Sequence, residues 1–143
     1  MTRGKLTKTA TARWVGGQAF EAGAGSGFTL RMDSGEDTTG FSPMELVLVG
    51  LAGCTGMDVV SILEKKRQNL TGLEVRVTGR RAEEHPKVYT EIDVEYIVRG
   101  RNVETKAIAR AIELSQGKYC SVSNMLKRVA ILRTSFQVHA DEN

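Results

Sequence analysis

Cysteine, proline and histidine are scarce in this chain, with two of each among 143 residues. Two cysteines are too few for the disulfide framework of a small secreted domain. The histidines, His85 in a polar turn and His139 near a strand end, do not combine with the cysteines at zinc-ligand spacing, so no metal site and no cofactor are expected. An excess of charge of one sign is also missing. The net charge is +3 with acids and bases intermixed, and the basic clusters at 65–67 and 80–81 lack interleaved aromatics, so nucleic acid is not an expected partner. The longest uncharged apolar stretch, residues 46–57, falls short of the roughly 20 residues of a membrane span. The charged N-terminal residues 1–9 are followed by no apolar run, which argues against a signal peptide. No G-x-S-x-G occurs, and the glycine-rich stretch 23–27 lacks the helix that a phosphate loop needs. These absences leave a cytoplasmic chain without a membrane, and its length fits one domain, residues 1–143.

What is present patterns as α+β. Glycine pairs punctuate three short strands near 6–14, 18–22 and 27–32, followed by a polar loop at 34–40. Ser42 then offers an N-cap, Pro43 suits the first helical position, and Glu45 completes a capping box. The helix they start is expected to run to about Gln68, on the order of 40 Å. Its first half is apolar or small on every face, so it should be buried all round. One chain of this size has few elements to cover such a helix, and a second copy would supply the cover, making a homodimer the expected assembly. Alternation marks strands at 73–78 and 92–98 joined by a polar link at 82–87. A second helix is expected at 103–117, ended by Gly117, with a short helix from about Ser121 and a last strand at 131–140. Helices and antiparallel strands in separate blocks give the fold class.

Cys54 lies inside the long helix, where Gly50, Gly53 and Gly56 recur every three residues. Each glycine costs about 1 kcal/mol of helix propensity relative to Ala, which calls for close approach of a backbone or ligand to that face. Cys54 reads either as an inert small hydrophobe or as a stabilised thiolate. Cys120, sixty-six positions later, directly precedes what reads as a helix N-terminus, whose N–H groups would favour a thiolate; a packed free thiol is the other reading. Arg31 alternates with Leu30 and Met32 in the third strand. It is either a surface arginine or a guanidinium able to stabilise a thiolate and hold a peroxide oxygen.

Residues 40–46, Gly-Phe-Ser-Pro-Met-Glu-Leu, continuing through Gly53-Cys54 to residues 57–63, resemble the OsmC-like and organic hydroperoxide resistance family, as does the block Lys118-Tyr119-Cys120-Ser121-Val122-Ser123. The resemblance covers nearly the whole chain. It implies an intertwined homodimer, with long central helices wrapped by antiparallel β-sheets and active sites at the interface. It also implies thiol peroxidase chemistry on organic hydroperoxides in oxidative-stress defence, with a dihydrolipoamide-like dithiol as reductant. By the resemblance Cys54 is the attacking (peroxidatic) thiol, Cys120 the resolving one, and Arg31 the catalytic arginine.

One position departs from the family pattern. Its peroxidases carry a glutamate ten residues before the attacking cysteine, and here that position is Met44, with Glu45 one place later and about 100° further round the helix. Glu45 is either only the capping acid or the replacement for the missing carboxylate. Another branch of the family places its arginine near residues 16–17, where this chain has Gln18. The departure at Met44 keeps a second reading open, a non-catalytic protein of this fold that binds a small ligand or senses redox state.

Overall fold

The computed structural model describes residues 6–141 and divides into two compact units, residues 1–47 and 48–143. Residues 1–5, part of the stretch 1–9 that argues against a signal peptide, lie outside the described residues.

The first unit is a three-stranded antiparallel sheet, β1 (Ala10–Gly16), β2 (Ala19–Ala24) and β3 (Thr29–Met32), in that order. The β1–β2 turn uses Gly16 and Gly17 at φ 119° and 56°, a region that L side chains rarely enter. The Trp14 indole N–H donates to the Gly17 carbonyl at 2.9 Å and fixes that turn. β1 begins at Ala10, four residues later than the expected start near 6, and every residue of it is exposed. After β3 the chain folds back, with a parallel bridge between Met32 and Phe41 and a hydrogen bond from the Phe41 N–H to the Arg31 carbonyl at 3.1 Å. A Cβ on Gly40 would stand 2.4 Å from that carbonyl, so only glycine fits the crossing.

Helix α1 (Pro43–Lys65) begins in the first unit and continues into the second. The expected capping box is present: the Ser42 N–H donates to Glu45 Oε1 at 2.8 Å, and the Glu45 N–H donates to Ser42 Oγ at 3.1 Å. The expectation of burial on all sides is corrected within one chain. The buried residues are Leu51, Thr55, Val59 and Leu63, a single stripe at four-residue spacing, while Val49 and Met57 are exposed. One sheet face covers one stripe of a helix and no more. The membrane reading also needs correction. By length and composition α1 is apolar enough to cross a membrane, which counting only the uncharged residues 46–57 did not register.

In the second unit, β4 (Asn69–Arg81) and β5 (Tyr89–Arg101) form a long antiparallel hairpin. Both strands outrun the expected 73–78 and 92–98, because Arg80, Arg81, Arg99 and Arg101 extend the ladder beyond the apolar alternation. Ile92, Val94, Tyr96 and Val98 are fully buried, as their alternation implied, and each apolar side chain so placed contributes about 1.5–3 kcal/mol. After α2 (Thr105–Leu114) the chain does not stop at Gly117. It widens into a π turn, Ser115–Tyr119, and restarts as α3 (Ser121–Leu126). β6 (Ile131–Ala140) then pairs with β5 in parallel. The order is β4-β5-β6 and the sheet is mixed, where antiparallel pairing was expected throughout. The helical crossover between β5 and β6 is what permits a parallel neighbour. The fold class is α+β with a long helix, as the sequence implied.

Candidate active site

α1 and the π turn bring the two cysteines together. Cys54 and Cys120 are both free, and the Cys54 thiol is near enough to push the Cys120 thiol up. Their surroundings differ. Cys54 is half-buried, while Cys120 has no exposed surface. Cys120 is the N-cap of α3, and its sulfur accepts the Ser123 N–H at 3.4 Å. That contact favours a thiolate, as expected of a helix N-terminus, but burial outweighs it. Burial first, and the neighbouring Cys54 after it, push the Cys120 thiol above its usual range.

A buried polar chain runs beside the pair. Ser115 Oγ donates to Asp58 Oδ2 at 2.9 Å and lies 2.7 Å from Thr55 Oγ1, which in turn lies 2.7 Å from the Tyr96 hydroxyl. Each hydroxyl has one proton, and Asp58 as a carboxylate only accepts. Thr55 must therefore donate to Ser115, and Tyr96 to Thr55. The Gln116 amide donates to both Tyr96, at 3.0 Å, and Thr55, at 3.3 Å. Thr55, Tyr96 and Ser115 are fully buried. Burial lifts the Tyr96 phenol above its ordinary 10.0, with contacts to Thr55 and Gln116 opposing. Sequence reasoning missed this chain. Its signal was present in Thr55 and Asp58, polar residues three apart in an otherwise apolar or small run.

Arg31 and Glu45 belong to the first unit. Arg31 Nε donates to Thr39 Oγ1 at 2.8 Å, and that hydroxyl donates to Asp33 Oδ2 at 2.6 Å. The Thr39 hydroxyl, with the N–H groups of Ser34 and Thr39 and the nearby Arg31 charge, holds the Asp33 carboxyl below its ordinary 3.8. Arg31 thus has a carboxylate in reach through Thr39, a partner the sequence reading did not consider. Glu45 is exposed and engaged on the Ser42 N–H. His85 and His139 are exposed, His139 bonding Gln137, and among the described residues no group of three or more His, Cys, Asp or Glu is placed to hold a metal.

Against known proteins, residues 35–134 match the model of the family described as OsmC-like protein. The chain is 42% identical over 131 residues to protein YhfA of Escherichia coli strain K12, covering 92% of this chain and 98% of the other. The fold matches the crystal structure of a hypothetical protein from Aquifex aeolicus VF5 with a TM-score of 0.87 at 35% identity, covering 95% of this chain and 98% of that one. It also matches an organic hydroperoxide resistance protein OsmC from Legionella pneumophila, with a TM-score of 0.68 at 16% identity, covering 92% and 97%.

Proposed function

The chain belongs to the OsmC-like family, and from that premise we propose that it is a thiol-dependent peroxidase that reduces organic hydroperoxides. The observation that carries this reading is the pair of free thiols, Cys54 half-buried and Cys120 wholly buried, on elements joined through Ser115, which meets Thr55 at 2.7 Å and accepts the Cys120 N–H at 2.7 Å. The more accessible sulfur suits the attacking role. Cys54 as thiolate displaces at the O–O bond of the hydroperoxide, and the bond breaks. The alkoxide leaves, takes a proton and becomes the alcohol, while Cys54 becomes a sulfenic acid. The Cys120 sulfur then forms the S–S bond to Cys54, and the hydroxyl departs with the Cys120 proton as water. An external dithiol of the dihydrolipoamide type returns two electrons by exchange. Burial keeps the resolving sulfur away from other thiols until Cys54 is oxidised beside it. In this reading Arg31 acts on the Cys54 thiolate and the peroxide, with Glu45 or, through Thr39, Asp33 as its carboxylate partner. The chain works as one domain, residues 1–143, in the cytoplasm and as a homodimer.

Stopped-flow mixing with cumene hydroperoxide tests this. The wild type should consume peroxide, Cys54→Ser should not, and Cys120→Ser should consume one equivalent and stop at the sulfenic acid. Peroxide loss that is the same with and without Cys54 contradicts the reading.

A second reading has one observation in its favour. Met44 stands at the family's acid position, and the Glu45 carboxylate is taken by the Ser42 N–H. A protein that binds a small ligand or senses redox state without turnover would then be expected. Native mass spectrometry of the purified protein should in that case show a co-purified small molecule, and an empty protein with rapid peroxide turnover excludes it.

A further inference from the structure

Ser115 touches both cysteine-bearing elements. Its side chain donates to Asp58 at 2.9 Å and meets Thr55 at 2.7 Å, and Thr55 directly follows Cys54 on α1. Its carbonyl accepts the N–H of Cys120 at 2.7 Å, the five-residue bond that makes the π turn. An ordinary α-helical ladder would give that carbonyl to residue 119; the wider turn gives it to Cys120 instead. The far side of the turn is tied as well. Asn124 Nδ2 donates to the Gln116 carbonyl at 3.2 Å and to the Cys120 carbonyl at 2.8 Å, while the Gln116 amide bonds Thr55 and Tyr96.

We propose that Ser115 is a positioning residue for the resolving step, holding the Cys120 sulfur against Cys54 through a bracket whose other members are Asp58, Thr55 and Gln116. The proposal rests on the reading of Cys120 as the resolving thiol. Disulfide formation has to bring the two sulfurs to about 2.05 Å with a narrow range of dihedral angles. A displacement of about 1 Å can cost a reaction of that kind two orders of magnitude in rate. The hydroxyl bonds that fix Ser115 run in one direction, from Tyr96 through Thr55 and Ser115 to Asp58. Removing the Ser115 hydroxyl leaves the buried Thr55 without its acceptor, where water does not replace it at low cost, and leaves the half-buried Asp58 without that donor.

The test uses 2-hydroxyethyl disulfide and no peroxide. Cys54 as thiolate attacks the probe, forms a mixed disulfide and releases one 2-mercaptoethanol. Cys120 then displaces the second 2-mercaptoethanol, which carries away its proton, and closes the Cys54–Cys120 disulfide. Acid quench and intact-mass analysis time the two steps separately. Ser115→Ala should leave the first step within about twofold and slow the second by at least about tenfold, and Ser115→Thr, which restores the hydroxyl, should recover most of the loss. A general loss of structure would slow both steps together and would not be rescued by threonine; that outcome, or an unchanged second step, overturns the proposal. Asp58→Ala is the second variant. It removes the half-buried outer anchor, and should slow the second step alone; an unchanged second step in Asp58→Ala overturns the proposal even where Ser115→Ala does not fold. A wild type that resolves the mixed disulfide but ignores hydroperoxide refutes the peroxidase reading and leaves the positioning role standing.

Discussion

The two sulfurs of this chain have unequal surroundings. Cys54 is half-open and Cys120 closed, and burial raises the Cys120 thiol above its ordinary 9.0. The consequence for stability has a definite sign. A thiol whose folded value is raised holds its proton more tightly in the native state, so its contribution is complete below pH 9.0 and is lost as pH rises through the folded value. Urea midpoints measured between pH 8 and pH 11 should fall, and Cys120→Ser should flatten the part of that fall that begins nearest 9; Tyr96, raised from 10.0, accounts for the later part. Asp33 behaves in the opposite sense. Its lowered carboxyl contributes above its ordinary 3.8 and loses that contribution on acidification through the folded value. Asp33→Asn should weaken the acid dependence, and circular dichroism followed from pH 5 to pH 2 reads it. Cys54, Cys120, Arg31 and Glu45 were all nameable from the sequence, because scarce cysteines and a capping box are local signals. The meeting of Asp58, Ser115 and Tyr96 was not, because it depends on three elements that lie far apart in the chain.

Helix α1 shows what periodicity reads well and what it does not. Its start is written in Ser42, Pro43 and Glu45, and both capping bonds are made. Ser42→Ala should cost about 1 kcal/mol and lower the melting temperature by about 4 °C, without moving the rate of Cys54 oxidation. Differential scanning calorimetry beside a single-turnover assay separates the two. Its expected burial is met only in part by one chain, the rest being expected from a second copy. Within this chain the cover reaches only the stripe of Leu51, Thr55, Val59 and Leu63. The glycine spacing divides in the same way: a Cβ on Gly56 would meet Val75 at 3.4 Å, while Gly50 and Gly53 face open space. The π turn was invisible for a different reason. Gly117 is a strong stop signal in sequence, and the hydrogen bond from Cys120 to Ser115 that carries the chain past it is tertiary in purpose. The parallel placement of β6 was likewise hidden, because alternation fixes a strand's faces and not the direction of its neighbour.

At the scale of the molecule, much apolar surface is left uncovered. Trp14, Phe28 and Phe41 of the first unit are exposed, and Ala19 is its one buried apolar residue among those described. In the second unit Val49, Ala52, Gly53, Gly56, Met57 and Val60 line a groove of about 700 Å³ along α1. A second copy of the chain is the expected cover. Sedimentation velocity at micromolar concentration should give a dimer, and Met57→Glu, which puts a charge on the open face of α1, should shift it toward monomer; a monomeric wild type contradicts the expectation. The α+β class and the family were legible because the central helix and both cysteine blocks are contiguous in sequence, whereas assembly is a property of surfaces that one sequence only hints at. Above all of this stands the claim that Cys54 and Cys120 form one redox couple. Its most direct measurement is peptide mapping under non-reducing conditions after one equivalent of cumene hydroperoxide. The account predicts a single disulfide between Cys54 and Cys120, absent in Cys54→Ser and reversed by dihydrolipoamide; oxidised protein in which Cys54 carries sulfinic acid and Cys120 remains a free thiol would contradict it.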